Sequence, residues 1–209
     1  GSDQQGNFVP STPIYRIDQG GYYGVPATAV GEEMPPESEA LVWLPHEVDQ
    51  SGAGQTWVVG GRMGFGQDAL VHVSYGRPGA FRVYFDEGAE GRQGAAISLV
   101  DGFEGPLLKA RENPHDGQLF VAGFQVWGTR SSGIRVLSRV RYTGLPSPLP
   151  AEVRMGEQGI LISFHVPLDP SVAEDVSRYE ISRWNYLRTS RYGSGHYRRD
   201  GEAGEERLP

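Results

Sequence analysis

Two side chains in this sequence have a type and setting suited to chemistry. His46 follows Pro45 at the end of an apolar stretch and precedes Asp49 by less than one turn. A neutral imidazole beside a carboxylate can act as a general base, which makes His46 the candidate catalytic residue. The plainer reading is a turn histidine bonded to a nearby carbonyl. Arg62, in "GGRMGFGQD", sits on a glycine-flexed loop after an apolar strand. A guanidinium there can hold a cofactor carboxylate through two parallel hydrogen bonds, or pair with Asp68 in the same loop. The run Gly60–Gly66 is not a phosphate loop, because no Lys-Ser/Thr follows it and no helix opens after it.

Other candidates read more simply as structure. His115-Asp116-Gly117 forms a turn with Gly117 in the left-handed position. Asp3, Gln5 and Asn7 offer alternating oxygen ligands, but the further carboxylates of a calcium loop are missing, so no metal site is assigned. Trp57, Trp127 and Trp184 could stack on sugar rings, although tryptophans in strands are commonly core residues. Residues 184–199 mix aromatics with arginines, as a single-strand nucleic-acid platform does. An exposed sandwich edge with snorkelling side chains explains that composition equally well. Neither G-x-S-x-G nor H-E-x-x-H occurs, and the absence of Cys removes thiolate, disulfide, zinc-ribbon and covalent haem chemistry from these residues.

The elements that must position these groups are strands. The 209 residues include 30 Gly and 15 Pro alongside 10 Tyr, 8 Phe and 4 Trp. That is the composition of short aromatic strands joined by tight turns, and the expected fold class is all-β. Strands are expected over 7–14, 40–44, 56–59, 69–75, 80–85, 95–100, 107–111, 119–122, 134–137 and 140–142. In "ALVHVSYG", Leu70, His72 and Ser74 face one way and Val71, Val73 and Tyr75 the other, as in a strand packed on both faces. Residues 15–40, rich in Gly and Pro, read as a long surface connection. The net charge of -7 is carried by the first half, with 5 Arg against 12 acids in residues 1–100. This acidity argues against nucleic acid as a partner. No apolar run reaches transmembrane length.

Two stretches, "LVWLPHEVDQSGAGQTWVVGG" and "LLKARENPHDGQLFVAGF", share a plan of apolar strand, turn with Pro and Asp, then an aromatic strand ending in Gly. A repeated meander of this kind buries its faces by stacking further copies around an axis, the logic of a β-propeller. Residues 1–145 are therefore expected to be the last blades of a propeller, and 146–151 a Pro-rich linker. Residues 152–191 are expected to form a small Ig-like β-sandwich segment. "DPSVAED" could form one helical turn capped by Asp169 or Ser171. Residues 192–209 are expected to be a flexible tail unless something packs on them.

The phrases "GSDQQGNFVPSTPI", "PHEVDQSGAGQTWVVGGRMG", "LVHVSYG", "ARENPHDGQLFVAGFQVWG", "ISFHVPLDP" and "YEISRWNYLRTSRYGSGHY" carry a resemblance spanning nearly the whole chain. In this order they resemble segments of the planctomycete-type membrane-bound dehydrogenase and haem-binding family, whose six-bladed propeller is related to soluble glucose/sorbosone dehydrogenases. The resemblance implies the C-terminal scaffold portion of an exported, periplasmic or extracellular sugar or alcohol dehydrogenase-like protein. It further implies pyrroloquinoline quinone (PQQ) with calcium in the full-length parent, a sugar or alcohol substrate and a cytochrome acceptor. The family's base histidine lies on an earlier blade, and no position here matches it. The alternative is a non-catalytic binding module for a polysaccharide or a protein partner. A nucleic-acid-binding segment at 184–199 is a third possibility.

Overall fold

The computed structural model describes residues 1–25, 36–66, 68–88 and 91–208. The middle of the connection expected over 15–40 lies outside them, as does Pro209 of the expected tail. The chain is all-β, with five small antiparallel sheets among the described residues. β1 (Thr12–Ile14) pairs with β2 (Val42–Leu44). A four-stranded meander follows, formed by β3 (Gly52–Val58), β4 (Ala69–Ser74), β5 (Gly79–Asp86) and β6 (Gln93–Asp101). A three-stranded meander comes next, with β7 (Lys109–Glu112), β8 (Leu119–Phe124) and β9 (Arg135–Val140). Two hairpin-like pairs close the chain, β10 (Pro150–Gly156) with β11 (Gly159–Phe164), and β12 (Ile181–Arg183) with β13 (Glu206–Leu208).

The four-stranded meander is the centre of the molecule because both of its faces are covered. Every residue of β4 is buried, as its two-sided apolar pattern predicts. Val71 and Val73 face a core shared with Val58, Phe65, Leu107, Leu119 and Val121, between this sheet and β7–β9. Leu70 and Val83 face the opposite way, against Ile14 and Leu44 of the β1–β2 pair. Each fully buried aliphatic side chain contributes about 1.5–3 kcal/mol of transfer free energy. A bulge between Gly52 and Gln55 lets β3 approach β7 closely. A Cβ at Gly54 would lie 2.6 Å from the Leu108 carbonyl oxygen, so glycine is required there.

Several local expectations change. The stretches 134–137 and 140–142 are not two strands, because Ser138 and Arg139 continue the alternation through a single β9. The two echoed stretches do not share pairing: β2 leaves for β1, whereas β7 pairs directly with β8. The proline segment does not stay outside sheet structure, because Pro150 opens β10, a position where its missing N–H is harmless. Its carbonyl accepts hydrogen bonds from Arg82 Nη1 (2.9 Å) and Tyr84 Oη (2.8 Å) of β5, and the Met155 N–H donates to Asp86 Oδ2 at 2.8 Å. The helical turn forms as α1 (Pro170–Ala173), capped by Asp169, whose Oδ1 accepts from the Ser171 N–H.

Candidate functional site

From Leu187 onward the chain crosses its own first residues. The Phe8 N–H donates to the Thr189 carbonyl (2.8 Å), and Gly193 and Ser194 donate to the carbonyls of Gly6 and Pro10 (both 2.9 Å). Arg188 Nε donates to the Phe8 carbonyl at 2.9 Å, and its guanidinium pairs with Glu37. Beyond this crossing, Asn185 and Tyr197 exchange backbone hydrogen bonds, and β13 pairs with β12. Residues of the segment expected as a tail, Gly193 and Ser194 among them, thus pack against the N-terminal segment.

The crossing lays Trp184, Tyr186 and His196 against the β2–β3 turn. The rings form a continuous chain. Trp43 meets Tyr186 at 6.0 Å, Tyr186 meets His196 at 5.5 Å, and Trp184 stacks on His196 at 4.4 Å with 19° between planes. On the other side, the Pro45 carbonyl accepts from the N–H groups of Val48 and Asp49, winding one tight turn that carries His46 and Glu47. A cavity of about 300 Å³ lies between, lined by Ser11, His46, Glu47, Tyr186, His196 and Glu205 with small residues of the crossing. It adjoins a more open groove bordered by Glu180, Ser182 and Trp184.

A buried cluster holds the turn in place. Asp49 Oδ2 is 2.7 Å from His72 Nε2, and Asp49 Oδ1 accepts from Ser74 Oγ at 2.5 Å. The Thr12 hydroxyl donates to the Asp49 carbonyl at 3.2 Å. Serine, histidine and aspartate together suggest a hydrolase triad, but the connectivity removes that reading. Ser74 bonds the carboxylate rather than the imidazole, and all three side chains are fully buried. The cluster is scaffold that fixes the turn carrying His46.

Asp49 is thus committed to His72 and does not activate His46. His46 Nδ1 is buried and has no hydrogen-bond partner among the described residues, and the same holds for Tyr186 Oη. Burial pushes the Tyr186 phenol above its ordinary value, and the Trp184 and Ser11 side chains beside it pull the other way. His196 Nδ1 lies 2.7 Å from Glu205 Oε1. That bond, helped by Ser182, holds the Glu205 carboxyl below its ordinary value. Among the described residues no group of three or more His and carboxylate side chains has the geometry to hold a metal ion.

Arg62 lies elsewhere. It follows the Val58 end of β3, whereas His46 precedes the Gly52 end. Seven residues of strand separate the two by roughly 20 Å. The Arg62 guanidinium donates to the His115 carbonyl at 2.9 Å, its stem packs over Gly117, and no ion pair with Asp68 forms among the described residues. Gly117 itself is left-handed, with φ of 68°. PQQ carries several carboxylates and needs cations. The cleft at His46 is lined by acids, and the cation at Arg62 is exposed and engaged, so these residues do not fit the quinone. Trp57 is half exposed at the sheet edge, with its ring 5.9 Å from Phe85, rather than in the core.

His46 was legible from its loop, but Tyr186, His196 and Glu205 lie far along the chain and carry no local signal linking them to it. The burial of Asp49 had a partial signal, since His72 and Ser74 on one face of an apolar strand require a polar partner. No family model, curated protein or solved structure matches this chain.

Proposed function

We propose that this chain is a recognition portion of an exported protein of the glucose/sorbosone dehydrogenase-like propeller kind. Its cleft binds a polyhydroxylated ligand of monosaccharide size, the binding-module reading of the sequence. One observation carries this. Two buried side-chain polar atoms without partners among the described residues, His46 Nδ1 and Tyr186 Oη, belong to residues that line the same cavity of about 300 Å³. Leaving such groups unbonded costs about 1–3 kcal/mol each, and a small opening of the cleft that lets a ligand hydroxyl reach them recovers that cost on binding. Sugar hydroxyls both donate and accept, so they suit an imidazole, a phenol and the carboxylates of Glu47 and Glu205 together. The stacked Trp184–His196 pair supplies the flat apolar surface that a pyranose face prefers.

The β3–β6 meander supports the propeller part of this reading, since it has the size and antiparallel order of one blade. For the sandwich segment read at 152–191, the support is that β11, β12 and most of β10 fall within it. In this reading the oxidative step of the family, with its quinone and cytochrome acceptor, belongs to other parts of the parent, and His46 binds rather than abstracts a proton. The test is saturation-transfer NMR of the chain against a panel of aldoses and polyols, run beside a dye-reduction assay with added PQQ and calcium. Saturation transfer without dye reduction is the expected result. Turnover abolished by His46→Ala would replace binding with catalysis, and no transfer to any panel member would refute the recognition role.

A further inference from the structure

The outer face of β7–β9 has a composition that neither the cleft nor the core uses. The register places Arg111, Phe120 and Arg139 in one row, Lys109, Ala122 and Leu137 in the next, and Phe124 with Arg135 in a third. Alternation puts all eight side chains on the face opposite the core, where Ala110, Leu119 and Val121 are buried. Phe124 is 59% exposed and Leu137 79% exposed. The centre of the face is an apolar stripe with two phenyl rings about 13 Å apart, and each edge, about 4.8 Å away, is a rail of two cations.

No strand position on this face, among the described residues, is a carboxylate. Among the described residues none of Lys109, Arg111, Arg135 and Arg139 has an acidic partner, whereas Arg92, Arg154, Arg183 and Arg188 elsewhere on the surface all do. Burial against a neighbouring sheet would strip water from four unpaired charges, so this face is built for solvent and for an anionic occupant. The net charge of -7 conceals it, because the acids sit elsewhere. The segment 184–199, which shares the mixture of arginine and aromatic residues, spends Arg188 on Glu37 and Arg198 on Asp200.

We propose that the outer face of β7–β9 binds an acidic polysaccharide, a chain of uronate-type sugars, with its rings on Phe120 and Phe124 and its carboxylates on the two cationic rails. The placement of charge selects this occupant. A nucleic-acid strand carries its phosphates along one edge of the row of bases, and a platform for it needs cations on one side. A glycan whose successive rings are turned over presents carboxylates alternately at both edges, matching Lys109 and Arg111 on one rail and Arg135 and Arg139 on the other. Arginine's planar fork engages a carboxylate through two bonds. This surface uses none of the cleft residues, so it stands or falls separately from the proposed sugar site.

The experiment is isothermal titration of the full chain with galacturonate oligomers in chelator, beside neutral xylose oligomers and a thymidylate oligonucleotide. The galacturonate oligomers are expected to bind alone. Raising the salt to about 1 M, where the Debye length is near 3 Å, should weaken them at least tenfold. Phe120→Ala and Phe124→Ala should each cost roughly three- to tenfold, and Arg111→Gln with Arg139→Gln should abolish measurable binding. All four positions lie on the outer face, and circular dichroism melts should confirm that the variants fold. Tighter binding of the oligonucleotide, loss through the arginines with none through the phenylalanines, or no galacturonate binding would each overturn the proposal.

Discussion

Replacing Asp49 by Ala should destabilise the chain more than almost any other single change outside the apolar core. Asp49 is fully buried, and its two oxygens are the partners of His72 Nε2 at 2.7 Å and Ser74 Oγ at 2.5 Å. The substitution leaves an imidazole and a hydroxyl buried without them. A buried polar group stripped of its partner costs about 1–3 kcal/mol, so two cost about 2–6. Against a typical total of 5–15 kcal/mol, that removes a large share of the stability. Urea unfolding followed by tryptophan fluorescence reads the loss as a fall in midpoint of about 1–3 M at a slope of about 2 kcal/mol/M. Combining Asp49→Leu with His72→Phe and Ser74→Ala removes the polar groups together and should recover most of the loss. A shift below about 1 kcal/mol for Asp49→Ala would show that the cluster does not hold the β2–β3 turn, and would refute its positioning role for His46.

Other consequences follow from the titrating groups and the stitching of β5. Glu205 and Glu206 have folded pKa values depressed below 4.5, chiefly by His196 and by the Arg199 N–H respectively. Their contribution is therefore present above that value and is lost as the pH falls through the folded values, so the urea midpoint should fall as the pH is lowered below about 4.5. Tyr15, Tyr84 and Tyr186 are raised above 10.0 by burial. Their contribution is complete below pH 10 and lost as the pH rises through the folded values, so the melting temperature should fall in strong alkali. Tyr84→Phe, which removes the bond to the Pro150 carbonyl, should cost about 1 kcal/mol in urea unfolding. Ile14→Ala, at a fully buried contact between β1–β2 and β4–β5, should cost about 2–5 kcal/mol in the same assay.

Strand positions were readable where a local pattern carries them. The alternation in "ALVHVSYG" specifies β4, and Asp169 before Pro170 specifies α1, because both depend on neighbours in sequence. Pairing was not readable. Nothing local tells β2 to join β1 rather than β3, since the choice is made by Ile14 and Leu44 meeting Leu70 and Val83 across the sheet. The proline segment misled for a similar reason: three prolines suggest a linker, yet the Pro150 carbonyl is wanted by Arg82 and Tyr84. The cleft needed a contact between residues 6–10 and 189–194, made by backbone hydrogen bonds that any sequence can supply. His46 could be singled out, but its surroundings could not. The basic face was hidden by averaging charge along the chain instead of across paired strands.

The most direct test of the account is where a sugar binds on the folded chain. A ¹⁵N-resolved NMR titration with whichever aldose or polyol shows saturation transfer should move the Trp184 indole N–H and the backbone amides of His46, Glu47 and His196, and Tyr186→Phe together with His46→Ala should erase those shifts while leaving the β4 and β5 amides in place. Shifts confined to other surfaces, or shifts that survive both substitutions, would contradict the assignment of this cleft as the recognition site.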